Sequence, residues 1–73
     1  MKEGGTKMDA TSALRRWRLS HGLSLADVAG LSGFSSAHLS LVERGQRNLR
    51  PLKRVLLARR LGAAVGDLFP VEN

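Results

Sequence analysis

Residues 24–45 read SLADVAGLSGFSSAHLSLVERG, and this stretch decides the fold. Ser24 and Asp27 form an S-x-x-D capping box, in which a hydroxyl and a carboxylate satisfy orphan N–H groups at a helix start. Leu25, Val28, Ala29 and Leu31 then supply the apolar face of a helix of about two turns. Gly33 stops it, because a helix commonly ends on a residue in the left-handed region, where glycine carries no steric cost. Ser35 caps the next helix. Leu39 and Val42 face inward there, and Gly45 terminates it. Two short helices joined by so few residues around one glycine must meet at a steep angle.

Working outward, Thr11 or Ser12 can cap a preceding helix in which Leu14, Trp17 and Arg18 fall at i, i+3, i+4. Gly22 ends it. Downstream, GQRNLR is a polar loop, and Pro51 suits the first position of a fourth helix. Leu52, Val55, Ala58 and Leu61 repeat along that helix until Gly62. A last turn carries Val65, Leu68 and Phe69 before Pro70. No segment alternates with period two between turn signals, so no strand is expected. The expectation is an all-α chain, a compact five-helix bundle with a helix-turn-helix at its centre. The domain spans 11–70, with a flexible N-terminal arm at 1–10 and a short tail at 71–73.

The 73 residues contain no cysteine and 42% hydrophobic residues, which makes one small domain. A chain this short buries roughly 60% of the surface it exposes unfolded. With no thiol, packed helices must supply the stability. The same inventory argues against an enzyme: two isolated histidines and six scattered carboxylates offer no acid/base couple on one helix face. No metal site and no cofactor are expected. No run approaches the ~18 apolar residues of a membrane span. The opening MKEGGTKMDA lacks a signal-peptide core, so the expected setting is cytoplasmic and nucleoid-associated. Twelve Lys/Arg against six Asp/Glu give a formal charge of +6, which points to a polyanionic partner, most often nucleic acid.

The series Arg18-x-x-x-Gly22-Leu23-Ser24, Val28-Ala29, Gly33-Phe34-Ser35, Leu39-Ser40, Val42-Glu43-Arg44-Gly45, Ala58-x-x-Leu61-Gly62 and Asp67-Leu68-Phe69 resembles the Cro/repressor-type (Xre-like) helix-turn-helix family. The resemblance covers Leu14 to Phe69. It implies a lambda-repressor-like, five-helix DNA-binding domain, usually dimeric, with the third helix (about 35–44) in the major groove. It also implies a structural ion pair between Arg18 and Glu43, and a bidentate arginine is the best partner for a covered carboxylate.

Two positions depart from the family pattern. Leu25 stands where the family places a phosphate-touching Gln, although the amides at that helix N-terminus remain for a phosphate oxygen. Leu49 and Arg50 replace a Pro-Ser pair, with Pro51 following. The outward positions of the third helix are Ser36, Ala37, Ser40 and Leu41, the candidate base-reading set. Base readout favours Arg, Lys, Asn or Gln, and none occurs between Leu19 and Val42. Hydroxyls read bases permissively, and Ala37 and Leu41 suit thymine methyls. Each missing bidentate contact forgoes about 1–3 kcal/mol of discrimination, so readout leans on DNA shape.

Affinity instead rests on charge. From Arg44 to Arg60 there are seven basic residues and no acidic one. Ser24, Ser35, His38, Arg44, Arg47, Arg50 and Lys53 are the candidate phosphate contacts, which position without specifying. His38 has a second reading, as a partly covered residue packed on its neighbours. Arg59 and Arg60 are expected to stay solvated and to complement their own helix dipole. Arg15 and Arg16 stay ambiguous, and Lys2 and Lys7 either track DNA or sit in a tail. Trp17 is expected in the core against Leu68 rather than as a stacking platform.

These features together give a small repressor-type regulator binding double-stranded DNA, as a weak homodimer joined through Phe69, Val71 and Leu56. The alternative is a protein-interaction module, such as an antitoxin whose partner is a toxin. A third reading is a nonspecific nucleoid or RNA-binding protein.

Overall fold

The computed structural model describes residues 12–70. Five helices follow in order: α1 Ala13–Ser20, α2 Leu25–Ser32, α3 Ser36–Glu43, α4 Pro51–Leu61 and α5 Val65–Leu68. No strand occurs among the described residues. The arm, the tail and Val71 lie outside them.

The helix boundaries follow from local chemistry. The Ser12 hydroxyl accepts from the Arg15 N–H at the start of α1. At α2 the capping box is reciprocal: Ser24 Oγ accepts from Asp27 N–H at 3.0 Å, and the Asp27 carboxylate accepts from Ser24 N–H at 2.9 Å. Ser35 Oγ accepts from His38 N–H at 3.0 Å and opens α3. Pro51 occupies the first turn of α4. Gly33 ends α2 at φ +85°, a conformation that costs an L side chain roughly 1–2 kcal/mol.

Leu14, Val28, Leu39, Val42, Leu49, Leu57, Ala58 and Leu68 form the core. Around it α2 packs on both α3 and α4, α1 packs on α5 and α3, and α4 closes on α5. Trp17 is half-buried against the core and stacks on His21, with ring centroids 4.2 Å apart.

Two helix faces differ from the sequence expectation. Leu31, expected inward, is exposed, and Ser32 takes the buried position. The inward row of α2 is 25, 28, 29 and 32, a regular i, i+3, i+4, i+7 stripe. Ser32 is tolerated there because its hydroxyl donates to Val28 O at 2.7 Å and accepts from Phe34 N–H at 3.2 Å. In α4, Leu52 is 79% exposed and Val55 is also exposed, whereas Leu57 is fully buried. The inward row of α4 is 54, 57, 58 and 61, so Ala58 and Leu61 keep their expected places while Leu57 and the half-buried Arg54 take those of Val55 and Leu52. Leu49, read as part of a polar loop, is buried and anchors that loop to the core.

Candidate nucleic-acid interface

The orientation of α3 is set from α1. Arg18 Nε and Nη2 donate to the two carboxylate oxygens of Glu43 at 2.8 and 3.0 Å, while Nη1 donates to Leu23 O at 3.0 Å. Both residues are buried. Glu43 raises the Arg18 pKa through this hydrogen bond, against the opposing effect of burial. The fork therefore ties the last turn of α3 to α1 and to the α1–α2 turn, with each buried charge matched by the other.

A second tie holds the turn between α2 and α3. Arg60 Nη1 donates to Ser32 O at 2.8 Å. This corrects the expectation that Arg60 merely complements its own helix. The carbonyls at the end of α2 lack intrahelical donors and carry the negative end of that helix dipole. Gly33 leaves room for the guanidinium, because a Cβ there would lie 2.8 Å from Nη1. Ser32, Gly33 and Arg60 thus hold the turn jointly. The composite escapes a sequence reading because Arg60 lies 28 residues from Ser32.

On the outer surface of α3, Ser36 and Ala37 are exposed, while Ser40 and Leu41 are half-buried. Ser36, Ala37 and Ser40 have short side chains, so this face reaches a partner only at close approach. Arg44, Arg47, Arg50 and Lys53 are all exposed along the α3 C-terminus, the following loop and the first turn of α4. Arg44 Nε makes only a long contact of 3.4 Å to Ser40 O.

The N-termini of α2 and α3 differ as anion sites. At α2, the N–H of Ser24 is already taken by the Asp27 carboxylate. That engagement also lowers the Asp27 pKa. Of the amides at this helix N-terminus, that of Ser24 is therefore engaged within the chain. At α3, the Ser35 hydroxyl is committed to the His38 N–H, but no acidic residue stands in the first turn.

His38 is half-buried and meets the Phe34 ring edge-on at 6.0 Å. It lines a pocket of about 190 Å³ with Phe34, Leu49, Arg47, Arg50 and Lys53. Its Nε2 is shut from solvent and has no hydrogen-bond partner among the described residues. A buried unpaired polar atom costs about 1–3 kcal/mol.

Arg54 is half-buried, donates to Leu49 O at 2.8 Å and lies 5.2 Å over the Phe69 ring. The Phe69 ring expected at a dimer surface is thus partly engaged within the chain. Exposed apolar area on α4 lies instead at Leu52 and Val55. Among the described residues no group of three His, Cys, Asp or Glu could hold a metal ion. No described helix is long and apolar enough to cross a membrane.

A family model described as a helix-turn-helix domain matches residues 11–69. No curated protein and no solved structure matches the chain at a significant level of similarity.

Proposed function

Because the chain belongs to the helix-turn-helix domain family, we propose that it binds double-stranded DNA as a small repressor-type regulator of transcription in the cytoplasm, associated with the nucleoid. In this reading α3 enters the major groove. Ser36, Ala37, Ser40 and Leu41 meet base edges, the apolar pair favouring thymine methyls. Arg44, Arg47, Arg50, Lys53, His38 and the Ser35 end of α3 meet phosphates, with Ser24 the weakest member because Asp27 holds its amide.

The observation that carries the proposal is a pairing of features. The short-chained face of α3 is bordered by four exposed cations, in a segment from 44 to 60 without a carboxylate. One such domain covers about one half-site, so useful affinity calls for a homodimer, weak in solution and completed on a two-fold operator. The selection experiment uses a random duplex pool at about 0.15 M salt. An enriched two-fold motif with half-sites about one helical turn apart supports a dimeric operator-binding regulator. Binding without enrichment overturns it in favour of nonspecific attachment.

The exposed pair Leu52 and Val55 favours a second reading, in which the domain is a protein-interaction module such as an antitoxin. That reading expects a toxin gene beside this one and stable co-purification of the two products.

A further inference from the structure

The start of α4 is built unlike those of the three helices before it. Each of α1, α2 and α3 begins on a serine whose hydroxyl accepts a first-turn N–H. α4 begins on Arg50 and Pro51 with no side-chain cap. Arg54 instead reaches back from within the helix. Its Nε donates to Leu49 O at 2.8 Å, and its guanidinium lies 5.2 Å over the Phe69 ring. A cation this near a helix N-terminus opposes the helix dipole. The Leu49 carbonyl and the negative face of the ring offset that cost. Among the described residues this is the one hydrogen bond made by the main chain from 47 to 49. The other backbone bonds of the loop lie at its α3 end, at Arg44, Gly45 and Gln46. Leu49 is buried, while residues 44–48 and Arg50 are exposed.

We propose that Arg54 is a positioning residue for DNA binding: it fixes the Leu49–Arg50 peptide so that Arg47 and Arg50 meet phosphates, and it does not itself touch DNA. The inference rests on the DNA-binding reading and deepens it. A carbonyl held at 2.8 Å by a planar guanidinium has a set direction. Fixing that carbonyl fixes the peptide plane it shares with the Arg50 N–H. The Phe69 ring in turn steadies the guanidinium from beyond the end of α5. The strut thus runs from the C-terminal turn, through α4, to the loop that carries Arg47 and Arg50. Without it, only the Leu49 side chain and the α3 end hold that loop. A loop that visits its binding geometry for a fraction of the time binds more weakly by that fraction.

The test measures the affinity of the intact chain for its selected duplex at fixed salt, with thermal unfolding to establish that each variant is folded. Arg54→Met keeps an unbranched stem and loses the donor. It is expected to bind about tenfold more weakly, equivalent to about 1.4 kcal/mol. Arg54→Lys keeps the charge without the planar fork and is expected to lose nearly as much. Arg59→Met removes the same charge from the far end of the same helix, and is expected to stay within about twofold of wild type. In an Arg47→Ala/Arg50→Ala background, Arg54→Met has nothing left to position and is expected to cost less than about twofold. A folded Arg54→Met that binds like wild type, full rescue by Arg54→Lys, or an undiminished cost in that background overturns the inference. A second measurement needs no variant: NMR of the arginine Nε–H signals of wild type. That of Arg54 is expected to be protected from exchange and unmoved by duplex, while those of Arg47 and Arg50 shift. An Arg54 signal that exchanges freely, or that shifts with the other two, overturns the strut. Failure of wild type to bind any duplex is a different result, which sinks the DNA-binding reading and the positioning role together.

Discussion

Arg18 and Glu43, 25 residues apart in sequence, meet as a buried fork in which two N–H groups face two carboxylate oxygens at 2.8 and 3.0 Å. Truncating either partner leaves the other charge buried and unmatched, which costs about 3–5 kcal/mol. A small domain has about 5–15 kcal/mol in total. Glu43→Ala and Arg18→Ala are therefore expected to leave the chain largely unfolded or close to it. Arg18→Lys should be nearly as damaging, because an ammonium cannot fork to two oxygens and also reach Leu23 O. Urea denaturation of the three variants checks this, and a loss below about 1 kcal/mol for Arg18→Lys would show that the fork geometry is immaterial.

The Arg60 tie predicts a coupling. Gly33→Ala places a methyl 2.8 Å from Arg60 Nη1 at a backbone of φ +85°. The backbone strain costs roughly 1–2 kcal/mol by itself. Displacing the guanidinium from Ser32 O adds a lost charge-assisted hydrogen bond, about 1.5–3 kcal/mol in general and toward the low end in this partly exposed setting. In an Arg60→Ala background only the strain remains. A double-mutant cycle should return an interaction energy of at least about 0.5 kcal/mol. Strict additivity would remove Arg60 from the turn.

The helix-turn-helix was legible because its punctuation is local. Ser24, Asp27, Gly33 and Ser35 each act within four residues, and sequence displays such spacing directly. The phase of α4 was not legible for a physical reason. Val55, Leu56 and Leu57 are consecutive apolar residues, so the apolar pattern fits more than one face. What selects the face is tertiary: Arg54 reaches Leu49 O and Phe69, and Leu57 drops into the core. Ser32 was hidden because a buried hydroxyl satisfied by its own helix looks polar in sequence. At the candidate site, the cations were visible as a run of charge. The His38 recess was not, since it closes only when the loop anchored by Leu49 folds back beside α3.

That phase gives a stability contrast between two leucines of one helix. Leu57→Ala removes a side chain with no exposed surface and should cost about 2–5 kcal/mol. Leu52→Ala removes one that is 79% exposed and should stay within about 0.5 kcal/mol in the monomer. Equal losses in thermal unfolding at low concentration would reverse the assigned face of α4. A loss for Leu52→Ala that grows with protein concentration would place Leu52 at a contact between copies.

Asp27 sets an acid limit on α2. Ser24 N–H and Oγ engagement hold its carboxyl below the ordinary 3.8. The folded value lies below the unfolded one, so the carboxylate's contribution is fully present above the unfolded value. It is lost as pH falls through the folded value. Asp27→Ala should thus be less stable than wild type at pH 7, with a constant gap down to about pH 5. The gap should narrow as pH drops below about 4. Parallel urea titrations at several pH values measure the difference directly, and a gap that widens in acid would contradict the capping role.

The basic band makes a quantitative claim about DNA. Each phosphate neutralised releases condensed counterions, so log affinity falls with log salt at a slope of about −0.9 per contact. Arg44, Arg47 and Arg50 are exposed, with no carboxylate among them, so each is free to make such a contact. Arg47→Ala or Arg50→Ala should lower the magnitude of the slope by about 1 and weaken all duplexes to a similar degree. Ser40→Ala should instead leave the slope unchanged and alter the preference among sequences, because a base contact carries information and little counterion release. Arg59→Ala is the control, since its place at the last turn of α4 sets it apart from the α3–loop band. A slope equally reduced in Arg59→Ala would mean that the whole basic surface binds diffusely, and that α3 has no privileged place in the complex.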